Sequence, residues 1–186
     1  VLSYNSRYIF VAGARGLGKT YGAVELACEG WFKKQREQFF YLRRYKDEST
    51  GATPQFFDAN ARNYPFADFR TRGRVAEVAS AETRGMERRE WSTMGYFGAL
   101  SLAQQYKSIP YPEVSRIIYD EVILERGNSQ YLRDEVTVFN NFFNTVARKR
   151  DNVKAFLLAN AVEMTNPWFN EWGIRPDEGR EFTTRY

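Results

Sequence analysis

The stretch GARGLGKT, residues 13–20, decides the fold of this chain. It satisfies the pattern G-x-x-x-x-G-K-[ST] in full, between an apolar segment (residues 7–12) and a segment with helical spacing (residues 19–34). A strand that leads through a glycine loop into a helix is the setting in which this pattern cradles phosphate groups. The sequence therefore predicts a loop whose backbone N–H groups and helix N-terminus face a nucleotide.

Individual residues of this loop have distinct expected roles. The glycines let the backbone approach the phosphates, Lys19 reaches the β and γ phosphates, and the Thr20 hydroxyl is offered to Mg²⁺. The predicted nucleotide-binding residues of the loop are Gly13, Arg15, Gly16, Gly18, Lys19 and Thr20. ATP is the expected nucleotide, because the chain has no N-K-x-D element that would select guanine.

A second motif supplies two acidic residues later in the chain. The apolar strand predicted at residues 115–119 ends in Asp120 and Glu121, and parallel sheets bind ligands at the carboxyl ends of their strands. We expect Asp120 to hold Mg²⁺, directly or through a water, and Glu121 to orient and deprotonate the attacking water. A nucleotide kinase would not need the second carboxylate, so the pair favours hydrolysis of ATP coupled to work.

Two further polar residues follow predicted elements in positions that suit catalysis. Asn160 follows the strand predicted at residues 154–158 and could reach the γ-phosphate or the attacking water, or could simply cap the turn. Arg148 follows the helix predicted at residues 134–147 and could act as an arginine finger on a neighbouring subunit. The alternative for Arg148 is favourable charge at a helix C-terminus. The sequence leaves both pairs of roles open.

Aromatic and basic residues suggest further contacts with the nucleotide and with DNA. Tyr4 and Tyr8 precede the loop, where they could stack on a base or belong to the core. The chain carries 27 Lys and Arg against 23 Asp and Glu, a net charge of +4, and the whole excess lies within residues 31–90. Weak binding of duplex DNA by one domain is therefore expected. Arg126, in a glycine-containing loop, is the candidate DNA contact, against the alternative of a solvated turn.

Length and composition place the chain among ordinary single-domain globular proteins. Its 186 residues suit one core. With no histidine and one cysteine, Cys28, the sequence excludes an internal disulfide and zinc sites of the Cys/His type. We expect Cys28 in the core. No apolar run approaches the roughly 20 residues of a membrane span, and no charged leader is present, so a soluble protein in a reducing cytosol is expected.

Strands separated by helices predict a mostly parallel sheet flanked by helices. Further expected elements are a strand at Gln38–Arg43, a polar loop at residues 46–51 and a short helix opened by Thr53 and Pro54 that carries Phe56, Phe57 and Ala61. Later come two or three antiparallel strands within residues 66–100, of which 96–100 is the clearest, a short helix at residues 101–107 and a last helical turn from Asn166.

With these motifs placed, the sequence resembles the DNA-packaging (encapsidation) ATPases of phi29-like tailed phages. The resemblance is carried by GARGLGKT and by short strings along nearly the whole chain, and it is weakest at residues 66–100. These strings are Leu2-Ser3-Tyr4, Glu37-Gln38-Phe39, Tyr41-Leu42-Arg43-Arg44-Tyr45-Lys46, Tyr111-Pro112, Ile118-Tyr119-Asp120-Glu121, Asn128-Ser129, Asn160-Ala161-Val162 and Asn166-Pro167.

The resemblance implies an ASCE-type P-loop domain that works as a homomeric ring, a pentamer, and translocates double-stranded DNA. The ring would sit in the host cytoplasm at the portal vertex of a prohead, with the portal and a prohead-associated RNA as further partners. By position, Arg148 is the finger in trans, and Lys107 and Lys46 reach the nucleotide from a neighbour or act as sensors. Family members also carry a C-terminal nuclease-like domain, for which 186 residues leave no room. Since the chain begins with Val1, an excised ATPase domain is expected.

Two other functions fit the same motifs. One is a different P-loop ATPase that acts on nucleic acid, such as a helicase loader or a filamentous-phage assembly ATPase. The other is a nucleotide-dependent interaction module without hydrolysis. Turnover that is lost in Glu121→Gln would exclude the second, and an appended nuclease-like domain would favour packaging over the first.

Overall fold

Seven strands, four α-helices and three short 3₁₀ helices make up the secondary structure in the computed structural model, which describes residues 6–52, 55–125, 130–160, 163 and 165–175. The strands are β1 (Tyr8–Ala12), β2 (Gln38–Arg43), β3 (Ala67–Arg72), β4 (Val75–Ser80), β5 (Ser92–Ala99), β6 (Val114–Tyr119) and β7 (Lys154–Ala159). The α-helices are α1 (Lys19–Lys33), α2 (Lys46–Ala52), α3 (Glu135–Ala147) and α4 (Pro167–Trp172). The 3₁₀ helices cover Ala61–Asn63, Ala81–Thr83 and Leu100–Tyr106.

The strands form one sheet in the order β1-β7-β6-β2-β5-β4-β3. The pairings that link β1, β7, β6, β2 and β5 are parallel, and β4 pairs antiparallel with both β5 and β3. The carboxyl ends of the five parallel strands therefore lie at one edge, called here the carboxyl edge. The glycine loop after β1 and the acidic pair after β6 share this edge, with only β7 between them.

Apolar cores lie on both faces of the parallel strands. On one face α3 and α4 pack against the sheet through residues such as Phe139 and Trp168. On the other face the core contains Cys28 of α1 and Phe57 of the segment that precedes β3, which confirms the core position expected for Cys28. Strands β6 and β7 are buried along almost their whole length, as is typical of strands covered on both faces.

Most of these elements agree with the sequence predictions. Strand β2 has its predicted bounds, and β1, β6, β7, α1 and α3 each differ by one residue at one end. The polar loop predicted at residues 46–51 is wrong, because these residues form α2. Glu48 accepts a hydrogen bond from the Tyr45 N–H at 3.2 Å, and Asp47 adds negative charge to the first turn. This is the capping chemistry of a helix N-terminus.

The helix predicted from Thr53 and Pro54 does not continue through residues 56–60, which form turns before the 3₁₀ helix Ala61–Asn63; its predicted start lies outside the described residues. Aromatic packing fixes this segment instead. The Phe56 ring lies 5.2 Å from that of Phe39, and the Phe57 ring lies 4.6 Å from that of Phe69. Tertiary burial of two aromatic rings therefore overrides the local helical pattern.

Within residues 66–100, the predicted antiparallel strands are confirmed as β3, β4 and β5, since β4 pairs antiparallel with both of the others; what the prediction missed is a second, parallel pairing of β5. Strand β5 pairs parallel with β2, with Phe97 opposite Tyr41. Because β5 is an inner strand between β2 and β4, both of its faces bury residues and its sequence shows little alternation. The helix predicted at residues 101–107 is the 3₁₀ helix Leu100–Tyr106. Among the described residues, no helix is long and apolar enough to cross a membrane.

Candidate active site

The glycine loop joins β1 to α1 at the carboxyl edge. Gly16 and Gly18 adopt the left-handed conformation, with φ values of 84° and 73°, which costs glycine little because it has no Cβ. The Gly13 N–H donates to the Ala159 carbonyl of β7 at 3.3 Å, which ties the start of the loop to the sheet. Residues 14–18 are exposed beside the first turn of α1, where unpaired N–H groups favour anions.

The Lys19 side chain folds back along the loop that precedes it. Its ammonium donates to the carbonyl of Gly13 at 2.9 Å and to that of Ala14 at 2.6 Å. The positive charge is thereby held beside the loop, where a lysine of this motif contacts bound phosphate.

Thr20 and Asp120 meet at the carboxyl edge. Thr20 Oγ1 lies 3.3 Å from Asp120 Oδ2, and Asp120 Oδ1 accepts a hydrogen bond from the Glu121 N–H at 3.0 Å. A hydroxyl and a carboxylate oxygen fit Mg²⁺, which binds few protein ligands and completes its octahedron with water and phosphate oxygens. Such a site needs no cluster of three acidic, histidine or cysteine side chains, and none is found in the described part of the chain.

Glu121 is paired with an arginine that the sequence motifs did not single out. Arg43 Nη2 lies 2.7 Å from a Glu121 oxygen, and Nη1 lies 3.3 Å from Asp120 Oδ2. Burial opposes the charge of Arg43, but Tyr41 and the two carboxylates outweigh it and raise the pKa of the guanidinium. One cation therefore bridges the acidic pair and offsets the repulsion between two adjacent carboxylates.

Tyr41 is a second neighbour of Asp120 that the motifs did not single out. Its hydroxyl donates to Asp120 Oδ2 at 2.6 Å, and its side chain is buried. Burial, and next the charge of Asp120, raise the pKa of this hydroxyl well above its ordinary value. The hydroxyl therefore remains protonated and donating at neutral pH.

A buried ion pair supports the turn that carries Glu121. Glu121 has a positive φ of 58°, which is uncommon for a residue with a side chain. Arg44 donates to the carbonyls of Glu121 at 3.1 Å and Val122 at 2.8 Å. The Nε of Arg44 lies 2.7 Å from Glu135 at the start of α3. Arg44 therefore fixes the turn after β6 to α3.

The sequence contained a signal for these two arginines. Arg43 ends the buried strand β2 and Arg44 follows it directly, and cations at such a position need anionic partners. The partners come from β6 and α3, far along the chain. No spacing rule connects residues that distant, so the pairing emerges only when the sheet forms.

The other predicted site residues lie in different places. Asn160 directly follows β7, at the carboxyl edge between the glycine loop and the acidic pair, and is partly buried. Lys46 is exposed at the start of α2. Lys107 is exposed after the 3₁₀ helix Leu100–Tyr106, and no hydrogen bond between described residues joins its ammonium to the glycine loop. Tyr4 and Arg126 lie outside the described residues.

Tyr8 packs in the core beside α3. Its ring lies 4.8 Å from the ring of Phe143 and 5.2 Å from that of Trp172. Of the two roles expected for Tyr8, this packing supports the core role.

Arg148 lies far from the acidic pair of its own chain. Helix α3 begins beside β6, where Glu135 accepts a hydrogen bond from Tyr119 at 2.8 Å, and it ends after 13 residues at Ala147. A helix of that length spans about 20 Å. Arg148 and Lys149 follow it, exposed and with positive φ values of 44° and 71°. Arg148 therefore lies at the end of α3 that is distant from the acidic pair of its own chain.

Fold and site together define an α/β domain in which a glycine loop, a hydroxyl and an acidic pair converge at the carboxyl edge of parallel strands. Known proteins are similar to this chain in sequence and in fold. The chain belongs to the family described as podovirus DNA encapsidation protein (Gp16), whose model matches residues 1–185.

Individual relatives support the same family assignment. The "DNA packaging protein" of Bacillus phage phi29 is 36% identical over 182 residues, which are 98% of this chain and 51% of that protein. The crystal structure of the N-terminal domain of the phi29 DNA packaging ATPase matches with a TM-score of 0.86 and 34% identity, over 100% of this chain and 89% of that one. A chain of the phi29 viral genome packaging motor assembly matches with a TM-score of 0.83 and 35% identity, over 99% of this chain and 52% of that one. The chain thus spans about half the length of the curated relatives it matches.

Proposed function

We propose that this chain is an ASCE-type P-loop ATPase domain that hydrolyses ATP with Mg²⁺ and drives double-stranded DNA into a phage prohead. The observation that carries the proposal is the 3.3 Å approach of Thr20 to Asp120, with Glu121 next in sequence. This contact brings a phosphate-binding loop and an acidic pair to one point. The family and its phi29 relatives, named for DNA packaging, support the coupling to DNA.

The residues of the site have separate roles in this proposal. The loop N–H groups and Lys19 bind the phosphates, and Thr20 and Asp120 hold Mg²⁺. When bound, Mg²⁺ neutralises charge on the β and γ phosphate oxygens. Glu121 accepts the proton of the attacking water, and Arg43 pairs with the ionised form of Glu121 that can do so. Asn160, next to the loop, contacts the γ-phosphate or the attacking water.

The motor role requires a ring, and we propose a pentamer in the host cytoplasm at the portal vertex. The position of Arg148, at the far end of α3 from Asp120, supports a finger that acts on the neighbouring chain. Exposed Lys107 and Lys46 are assigned contacts with a neighbour's nucleotide or sensor roles. The portal, double-stranded DNA and a prohead-associated RNA are the proposed partners.

Nucleotide binding and turnover by three variants test the site. Lys19→Ala should abolish detectable ATP binding, because loop amides alone must then hold a triphosphate. Glu121→Gln keeps the shape of the side chain but removes the base, so ATP should bind as before while turnover falls by about 100-fold or more. Lys33→Ala, at the other end of α1, is the matched control and should change neither. Unchanged ATP affinity in Lys19→Ala would refute the assignment of the glycine loop as the nucleotide site. Retained turnover in Glu121→Gln would mean that another residue is the base.

A further inference from the structure

Tyr41 contacts the same carboxylate oxygen that faces the glycine loop. Its hydroxyl lies 2.6 Å from Asp120 Oδ2, the oxygen that is also 3.3 Å from Thr20 Oγ1. Of the side chains that contact this oxygen, Tyr41 makes the shortest hydrogen bond. Tyr41 therefore orients this oxygen, while the Glu121 N–H holds the other oxygen of the same carboxylate at 3.0 Å.

The Tyr41 ring is itself held in place. It lies on β2 in direct register with Ile118 of β6, and it is 3% exposed. The Phe56 ring packs edge-on against it at 4.8 Å and the Phe97 ring at 6.1 Å. Because packing holds the ring, its hydroxyl keeps one position and can hold the carboxylate in one orientation.

We propose that Tyr41 is a positioning residue for Mg²⁺. Its hydroxyl fixes the Asp120 carboxylate so that this carboxylate and the Thr20 hydroxyl face the same cation. The inference rests on the proposed function, because it needs Mg²⁺ bound with ATP at this edge. Hydrogen bonds to the ligands of a metal typically contribute 10- to 100-fold to its affinity. Loss of the Tyr41 hydroxyl should therefore weaken the Mg²⁺-dependent part of nucleotide binding and leave the Mg²⁺-independent part unchanged.

The test compares binding of a non-hydrolysable ATP analogue by the 186-residue chain in a Mg²⁺ titration and in EDTA. Tyr41→Phe removes one oxygen and keeps the ring. The Mg²⁺ concentration needed for half-maximal binding should rise at least about tenfold, with affinity in EDTA unchanged. The matched control is Tyr119→Phe. Tyr119 is also fully buried and donates to a carboxylate, but that carboxylate is Glu135 at 2.8 Å.

A double variant separates positioning from general damage to the fold. In an Asp120→Asn background, Tyr41→Phe should have no further effect on the Mg²⁺ titration, since its action passes through Asp120. An unchanged Mg²⁺ midpoint in Tyr41→Phe overturns the inference and leaves the proposed function intact. So does an equal loss of affinity with Mg²⁺ and in EDTA, which would indicate a merely structural role. Absence of Mg²⁺-dependent binding in the parent chain would overturn both.

Discussion

Arg44 and Glu135 form an ion pair that is almost completely removed from solvent, with Nε 2.7 Å from Oε2 and side chains 1% and 0% exposed. Glu135 also accepts hydrogen bonds from Tyr119 at 2.8 Å, Trp168 at 3.2 Å and the Leu132 N–H at 2.9 Å. These donors satisfy the hydrogen-bonding capacity of a carboxylate that burial has removed from water. This ion pair and its donors connect the residue after β2 to α3 and α4, beside the turn that carries Glu121.

Breaking this pair should strongly destabilise the domain. Arg44→Met leaves the Glu135 charge buried without a cation, so the free energy of unfolding should fall by about 3 to 5 kcal/mol in urea titrations. Arg7→Met is the control, because Arg7 lies 2.8 Å from Asp151 but the two side chains are 48% and 93% exposed. The free energy of unfolding of Arg7→Met should fall by less than about 1 kcal/mol. Equal losses in the two variants would contradict the role of burial.

Aromatic packing across β2 and β5 predicts that Gly95 tolerates no side chain. A Cβ on Gly95 would lie 2.6 Å from two atoms of the Phe39 ring, which is confined by the rings of Phe56 and Phe97. Gly95→Ala should lower the free energy of unfolding by about 1 to 3 kcal/mol. Gly22→Ala, in α1 with nothing within 4 Å of its Cβ, should instead raise it by up to about 1 kcal/mol. Stabilisation by both would argue against the close packing of Gly95.

Labelling of Cys28 should report unfolding, and its thiol should make the free energy of unfolding depend on pH. Burial raises the pKa of its thiol to about 12, so a thiol reagent at pH 8 should react only after the chain unfolds. The folded state binds this proton more tightly than the unfolded chain. The contribution of this thiol to the free energy of unfolding is therefore retained below about pH 9. It falls by about 1.4 kcal/mol per pH unit as the pH rises toward 12.

Comparison with Cys28→Ala separates this contribution from the titration of the tyrosines, except that of Tyr64, whose pKa is raised by burial, by its hydrogen bond to Glu25 and then by the charge of Cys28. The difference in free energy of unfolding between parent and variant should shrink from pH 9 to pH 12. Rapid labelling of the native parent at pH 8, or a difference independent of pH, would show that the thiol is accessible in the folded state.

Arg148 is predicted to act on the site of a neighbouring chain. Arg148→Ala and Glu121→Gln should each abolish turnover in assembled rings, and mixing the two variants should restore part of it. Some interfaces of a mixed ring combine an intact Arg148 with an intact Glu121. ATPase rates of mixed rings provide the measurement, and Lys149→Ala, the next exposed cation, should keep most of the activity alone. Verified mixed rings with no recovery would argue against a finger in trans.

Local sequence patterns were sufficient for the elements that position the site. The glycine loop and the acidic pair each lie within a few consecutive residues, and the apolar runs of β1, β2, β6 and β7 mark buried strands whatever their neighbours are. The same reasoning failed at α2, where Glu48 caps a helix made of polar residues, and at residues 56–60, where Phe56 and Phe57 are buried in turns rather than in the predicted helix.

By itself, the sequence determined that a glycine loop lies between a strand and a helix, and that two carboxylates follow another buried strand. Only the tertiary structure decided that Tyr41 and Arg43 contact Asp120, that Arg44 pairs with Glu135, and that Arg148 lies away from its own site. The physical reason is that hydrogen bonds and ion pairs act over about 3 to 4 Å in space. The order of strands in the sheet, which no local pattern specifies, determines which side chains come within that distance.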